Sequence, residues 1–213
     1  MGVNSTALML FLIDQGIEFE SVFINHRGDF SETYEYHKYL EGKGYEFTVI
    51  DPEVSWKGKW NDIYEYFWNF KSIPLVQYRI CTDKFKIRPF YRYIEKPATV
   101  YIGYSSDERN RVMKHKPRRK VKTEYPFLEN QISRQMCKDI IRKHGLKVPP
   151  PSRCYICPFH QKSEWKRIMV THPEEFKKAM ELEKNTARNL TLMPRGPALS
   201  ALWQENKLTE YLD

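Results

Sequence analysis

The chain has 213 residues, 41% hydrophobic and 29% charged, with 35 basic against 27 acidic side chains and a net charge of +8. This balance describes a globular chain of one domain, or one with a small appendage, that buries about 70% of its unfolded surface without disulfides or metal; it excludes disorder and collagen. The longest apolar run, Ala7 to Ile13, is far short of the roughly 20 residues of a bilayer span, no secretory signal is visible, and four cysteines make no disulfide scaffold, so the expectation is a cytoplasmic protein without membrane contact.

In chain order, residues 6–15 read as a helix stopped by Gly16, and residues 19–25 as an alternating, β-branched and aromatic strand. Residues 31–43 read as a polar-faced helix opened by a Ser cap and ended at Gly44; residues 45–50 form a second strand closed by Asp51-Pro52. An aromatic-rich helix is expected over 61–70 and a further one over 85–93 despite Pro89. Residues 98–103 give a third, apolar strand, and 129–144 an amphipathic helix ended by Gly145. Residues 163–170 and 173–184 close the list, the latter with Pro173 in its first turn. Strands alternating with helices predict βαβ units and a parallel sheet flanked by helices, with ligands at the carboxyl ends of the strands. The expected division is 1–148 for this α/β domain and 149–213 for a helical, CxxC-bearing extension. The opening turn follows no strand, so either the start is truncated or the first strand is missing.

The charge is localised. Eight basic residues and no acid lie between Arg109 and Lys122, and without them the chain is neutral. Such a stretch is either a solvated loop or a docking surface for a polyanion such as nucleic acid.

Four segments carry chemistry. Gly2-Val3-Asn4-Ser5-Thr6 before a helix offers backbone N–H groups and hydroxyls to an anion, or is an ordinary cap. Asn25 to Tyr34, with Arg27 and Gly28, lies where a strand end would read a nucleotide, or is a capped loop. Cys81 precedes Lys84, Lys86 and Arg88, cations that favour a thiolate or hold phosphates; the alternative is an inert buried cysteine. Cys154-Tyr155-Ile156-Cys157 is either a metal grip or a redox dithiol, with Cys81 and Cys137 available as further ligands. Cys137 also lies on the apolar face of its helix, where a buried structural thiol is ordinary. Trp56, Trp60, Trp68, Tyr64, Tyr66 and Phe67 read as core or as a homodimer contact in preference to a base-stacking surface.

Taken in order, these segments resemble the phosphoadenosine phosphosulfate (PAPS) reductase family of the PP-loop ATP-pyrophosphatase and adenine nucleotide alpha-hydrolase-like superfamily. Residues 2–7 (GVNSTA) resemble its phosphate loop, and 28–34 (GDFSETY) its Phe-Pro-Glu-Thr-Tyr segment. Residues 81–89 are similar to its cysteine-then-Lys…Pro segment, and 102–111 (IGYSSDERNR) to a strand-end Gly followed by a nucleotide-contacting Arg. Tyr125-Pro126, Glu129, Arg134 and 152–158 continue the likeness. It implies an adenine-nucleotide site for ATP or PAPS at Gly2, Val3, Asn4, Ser5, Thr6, Arg27, Gly28, Gly103 and Arg111. It further implies Lys84, Lys86 and Arg111 as catalytic cations, and a 4Fe-4S cluster, with zinc as the alternative, on Cys81, Cys137, Cys154 and Cys157.

The departures bear on activity. Asn4 stands where Asp is common, His26-Arg27 where Asp-Thr is, Cys81 is single where a tandem pair is usual, and no cysteine follows Cys157 to attack a sulfonate. The favoured expectation is therefore a nucleotide-activated sulfur transfer or related modification, with a thioredoxin-like or sulfur-donor protein as partner. The alternatives are a sulfonucleotide reductase that borrows an external thiol, and a non-catalytic nucleic-acid-binding protein with structural zinc.

Overall fold

The computed structural model describes residues 1–114 and 118–210. The protein is mixed α/β, and its chain divides into two compact units built from discontinuous segments. Unit 1 comprises Met1–Phe23, Phe30–Val49 and Tyr91–Ser152; unit 2 comprises Ile24–Asp29, Ile50–Phe90 and the chain from Arg153 onward.

Unit 1 is organised around α1 (Val3–Asp14), in which Val3, Thr6, Ala7, Leu8, Met9, Leu10 and Leu12 are all buried. A helix apolar on nearly every side has to be enclosed. Helix α7 (Arg134–Lys143) lays the face bearing Cys137 and Ile141 against it, and Tyr36 and Leu40 of α2 (Ser31–Glu41) complete the cluster with Phe127. Both α1 and α7 end in the same way. Gly16 and Gly145 take φ of +65° and +69°, and the N–H groups of Ile17 and Leu146 reach back to the carbonyls of Leu12 and Ile141. This left-handed turn satisfies the last carbonyls and strongly favours glycine.

Strand β1 (Val22–Ile24) pairs with β2 (Thr48–Ile50), and β5 (Ala98–Tyr101) pairs in parallel with β6 (Val121–Glu124), Ala98 opposite Val121 and Tyr101 opposite Glu124. The three expected strands are thus present in shortened form, whereas the end of the basic stretch, expected as a loop or docking surface, enters β6 at Val121 and Lys122. Residues 115–117 of that stretch fall outside the described residues. Among the described residues the strands, each two to four residues long, form three separate pairs rather than one continuous sheet. The helix expected over 129–144 is divided: α6 (Pro126–Glu129) stops, Gln131 takes a left-handed φ of 53°, and α7 begins after the Ser133 cap.

Unit 2 contains the short antiparallel hairpin β3 (Val54–Ser55) and β4 (Lys59–Trp60), followed by α3 (Ile63–Asn69), whose Asp62 cap accepts from the N–H groups of Tyr64 and Glu65. Helices α8 (Lys162–Thr171), α9 (Pro173–Lys184) and α10 (Leu199–Glu210) pack on one another around Trp165, Ile168, Phe176, Leu182 and Leu202. Glu183 is buried among them, and its two carboxylate oxygens accept from the N–H groups of Leu192 at 2.6 Å and Leu199 at 2.7 Å. A buried carboxylate is retained only when its oxygens are hydrogen-bonded. Here it ties the loop between α9 and α10.

The segment around Cys81 is irregular. Arg79 adopts a left-handed conformation (φ 47°, ψ 34°), α4 covers only Ile80–Thr82, and a π-helical turn over Asp83–Ile87 leads into α5 (Arg88–Tyr93). Pro89 explains the wide turn. It offers no N–H, and its ring would strike the carbonyl four residues earlier in a regular helix; a π-turn removes that conflict and is frequent at functional positions.

Candidate functional site

The residues expected to form one site are divided between the units. Gly2 to Thr6, Gly103, Arg111 and Cys137 belong to unit 1. Arg27, Gly28, Cys81, Lys84, Lys86, Cys154 and Cys157 belong to unit 2.

In unit 1 the helix begins at Val3, three residues earlier than its apolar pattern suggests, so the Gly2–Thr6 motif is the first turn itself. Thr6 N–H already bonds the Gly2 carbonyl, while Ser5 is exposed. Gly103, just beyond β5, lies against this turn: a Cβ there would stand 2.9 Å from the Asn4 carbonyl oxygen. Only a glycine lets the strand end approach the helix start so closely. Asn4 is fixed from both ends of its amide. Its Nδ2 donates to Glu108 at 2.8 Å, and Arg134 donates to its Oδ1 at 3.2 Å. Glu108 also receives Arg111 at 2.5 Å and the Ser105 hydroxyl at 3.4 Å. Arg111 in turn lies 4.4 Å from the Tyr104 ring centroid, and Tyr104 stacks on Tyr125.

Glu108 is the member of this network that sequence reasoning missed. It interrupts the 3-10 helix Ser106–Lys114 with φ −110° and ψ 16°, close to the bridge region in which many active-site residues sit. The only signal was the run of polar residues after a strand's carboxyl end. Cys137 is fully buried in the apolar core of this unit, and burial pushes its thiol up to about 11 despite the opposing charge of Arg134. It takes the packing role open to it on its helix face.

The other three thiols, each partly buried, belong to unit 2. Cys154 to Cys157 form a tight turn, Cys157 N–H bonding the Cys154 carbonyl at 3.0 Å. The turn is pinned by Tyr155 N–H to the Gly28 carbonyl at 2.9 Å, by a bridge between Asp29 and Cys154, and by His160 Nε2 at 3.0 Å from the Cys154 carbonyl. Burial is the main cause raising both thiols, Cys154 well above its ordinary value. Asp29 raises Cys154 further, and Cys81 raises Cys157. Working against this, the N–H groups of Ile156 and Phe159 bond the two sulfurs, and Lys86 acts on both. Backbone N–H groups and a cation directed at sulfur stabilise thiolate. Burial thus favours the neutral thiols, opposed by these N–H groups and by Lys86.

Gly28 sits at the centre of this arrangement. A Cβ there would meet Ile63 Cγ2 at 2.5 Å, Cys154 Sγ at 2.7 Å and His26 Nδ1 at 3.1 Å. Arg27 beside it takes a left-handed φ of 59°. His26 is wholly buried. Its Nδ1 accepts from Gly28 N–H, its Nε2 stands 3.6 Å from Asp29, and burial, followed by the charge of Lys86, holds it down at about 4. Lys84 donates to the Tyr66 hydroxyl at 2.8 Å. Among the described residues no three His, Cys, Asp or Glu side chains stand converged at ligand spacing. The donor chemistry of Cys81, Cys154 and Cys157 is that of a soft-metal site.

No protein-family model matches the chain, and neither a curated protein nor a solved structure matches it.

Proposed function

We propose that this chain is an adenine-nucleotide-dependent enzyme of the PAPS-reductase type, carrying out sulfur transfer or a related nucleotide-activated modification on an adenine nucleotide alpha-hydrolase-like fold. The observation that carries the reading is the close approach of Gly103 to the first turn of α1, with Asn4, Glu108, Arg111 and Arg134 joined in one network beside it. The N–H groups of Val3, Asn4 and Ser5 at the positive end of α1, with the exposed Ser5 hydroxyl, are the donors for a phosphate group.

In this reading Arg111, oriented by Glu108 and the Tyr104 ring, neutralises charge that develops on the nucleotide phosphate, the main catalytic device for such transfers. Asn4, clamped from both sides, keeps the first turn in position and stands where Asp is usual in the family it resembles. Lys84 and Lys86 supply positive charge in unit 2. Cys81, Cys154 and Cys157 would hold the metal group, an iron–sulfur cluster or zinc, and a bound cluster would supply soft, redox-capable iron able to present sulfur. The N–H groups of Ile156 and Phe159 would keep two of those sulfurs in thiolate form.

The test is anaerobic purification with analysis of iron, sulfide and zinc, alongside titration with ATP and with PAPS. Nucleotide binding that Asn4→Ala or Arg111→Ala weakens by about tenfold or more supports the reading, as expected for loss of a charged or clamped contact. Pyrophosphate released from ATP identifies nucleotide activation; sulfite released from PAPS with added thioredoxin identifies the reductase alternative. A chain that binds neither nucleotide is not this enzyme.

A further inference from the structure

The aromatic residues of unit 2 do not share one fate. Phe67 and Tyr66 are buried, as a core role requires, but Trp56 is 54% exposed, Phe159 50% and Tyr78 65%. Two of these rings carry a cation. Lys84 Nζ lies 5.1 Å from the Trp56 ring centroid and at the same distance from that of Tyr66, and the Arg79 guanidinium lies 5.7 Å from Phe159. Arg79 and Lys84 bracket Cys81 in one short helical run, and Phe159 N–H is the group that bonds the Cys157 sulfur. Arg79 and Lys84 thus flank Cys81 along the chain, and Phe159 lies two residues after Cys157. Residues 76–90 hold four basic side chains and a single acid, Asp83, whose carboxylate Arg88 takes at 2.6 Å.

We infer that this face of unit 2 is a docking surface for single-stranded nucleic acid, with unstacked bases on Trp56 and Phe159 and the phosphate backbone drawn by Arg79, Lys84 and Lys86. Exposed ring faces interleaved with cations suit a polyanion that carries flat, apolar bases, and each element of the surface has its counterpart in such a strand. A duplex offers phosphates but keeps its base faces stacked, so it uses the cations and leaves the rings bare. The inference deepens the sulfur-transfer reading by giving the chemical class of the acceptor brought to the thiols, and it rests on that reading.

The experiment titrates the full chain with a fluorescein-labelled single-stranded RNA of mixed sequence, about 12 nucleotides long, and with the corresponding duplex, spanning a typical single-strand site. The single strand binds more tightly than the duplex. Trp56→Ala and Phe159→Ala each weaken it by about tenfold, the scale of one lost stacking contact, and leave duplex affinity unchanged. Trp56→Phe retains most of the affinity, which separates lost stacking from lost fold. Equal binding of single strand and duplex overturns the inference, as does wild-type single-strand affinity in both alanine variants. So does a change from dimer to monomer in those variants with oligonucleotide affinity intact, because a second copy would then own the surface. ATP and PAPS binding on the same preparations keeps the two claims apart. A chain that binds ATP but shows no single-strand preference loses the surface and keeps the reading; one that binds the single strand in this way but neither nucleotide loses the reading.

Discussion

Replacing Gly28 with alanine adds one methyl group at the point where His26, Ile63 and Cys154 meet. The new carbon would stand 2.5 Å from Ile63 Cγ2 and 2.7 Å from Cys154 Sγ, against contact distances of roughly 3.5–4 Å. Both neighbours must move by about 1 Å, and overpacking of this kind costs about 1–3 kcal/mol. For a chain of this size that lowers the melting temperature by roughly 2–12 °C. The control is Gly16→Ala, where φ is +65° and nothing lies within 4 Å, so the cost is left-handed backbone strain alone, about 1–2 kcal/mol. The two variants overlap in stability and differ at the thiols. Gly28→Ala displaces the Cys154 sulfur and, on the metal reading proposed above, weakens cobalt(II) binding, read from its thiolate charge-transfer absorption, by about tenfold or more, whereas Gly16→Ala leaves it unchanged. Thermal melting and a cobalt titration on both variants decide the matter. A Gly28→Ala protein that binds cobalt as the wild type does would refute the placement of Cys154 against Gly28.

Three further outcomes follow from buried titratable groups. His26, held at about 4 against 6.5 in the unfolded chain, favours folding above pH 6.5, and that stability is lost as pH falls through the window down to about 4 because the unfolded state takes up the proton first. The full effect is about 3 kcal/mol, so His26→Asn should flatten the fall in melting temperature between pH 7.5 and pH 5.5, and an undiminished fall would count against the burial of this ring. Glu183→Gln replaces one acceptor by an N–H donor facing the N–H of Leu192 or Leu199 and should cost about 1–3 kcal/mol in urea denaturation. Cys137 is fully enclosed and pushed up to about 11 by burial, whereas the other three thiols are only partly buried. Mass spectrometry after iodoacetamide should find it alkylated last, and only as unit 1 opens, because the reagent has no access before then; early labelling would contradict its place in the core.

The candidate site was legible in pieces. The Gly2–Thr6 turn alone reads equally as an ordinary helix cap, and Gly103 and Arg111 are marked only by the family resemblance; the structure brings these three features of unit 1 into one network. Glu108 was not legible, because its role depends on Asn4, 104 residues away in sequence. Cys137, on the apolar face of its helix, was already the weaker candidate ligand beside Cys81. What distinguishes them in the structure is that Cys137 is enclosed by α1 and its neighbours, while Cys81 is only partly buried and its charge acts on Cys157. Trp56 and Phe67 belong to one aromatic run, yet one is exposed and the other buried, because the β3–β4 hairpin turns the first outward.

Sequence alone fixed those features whose cause lies within a few residues. Left-handed turns at Gly16 and Gly145 end α1 and α7, Pro173 starts α9, and two cysteines spaced by two residues form a turn with both sulfurs near backbone N–H groups. Tertiary structure decided everything that needs a distant neighbour: the pairing of β6 with β5, the π-turn's place beside the thiols, the burial of His26 and Glu183, and the allocation of cysteines to units. Local backbone preferences act through steric contacts between adjacent residues and are written in their identities. Burial, charge coupling and strand pairing act through space, and the same residues would have read differently had the chain returned along another path.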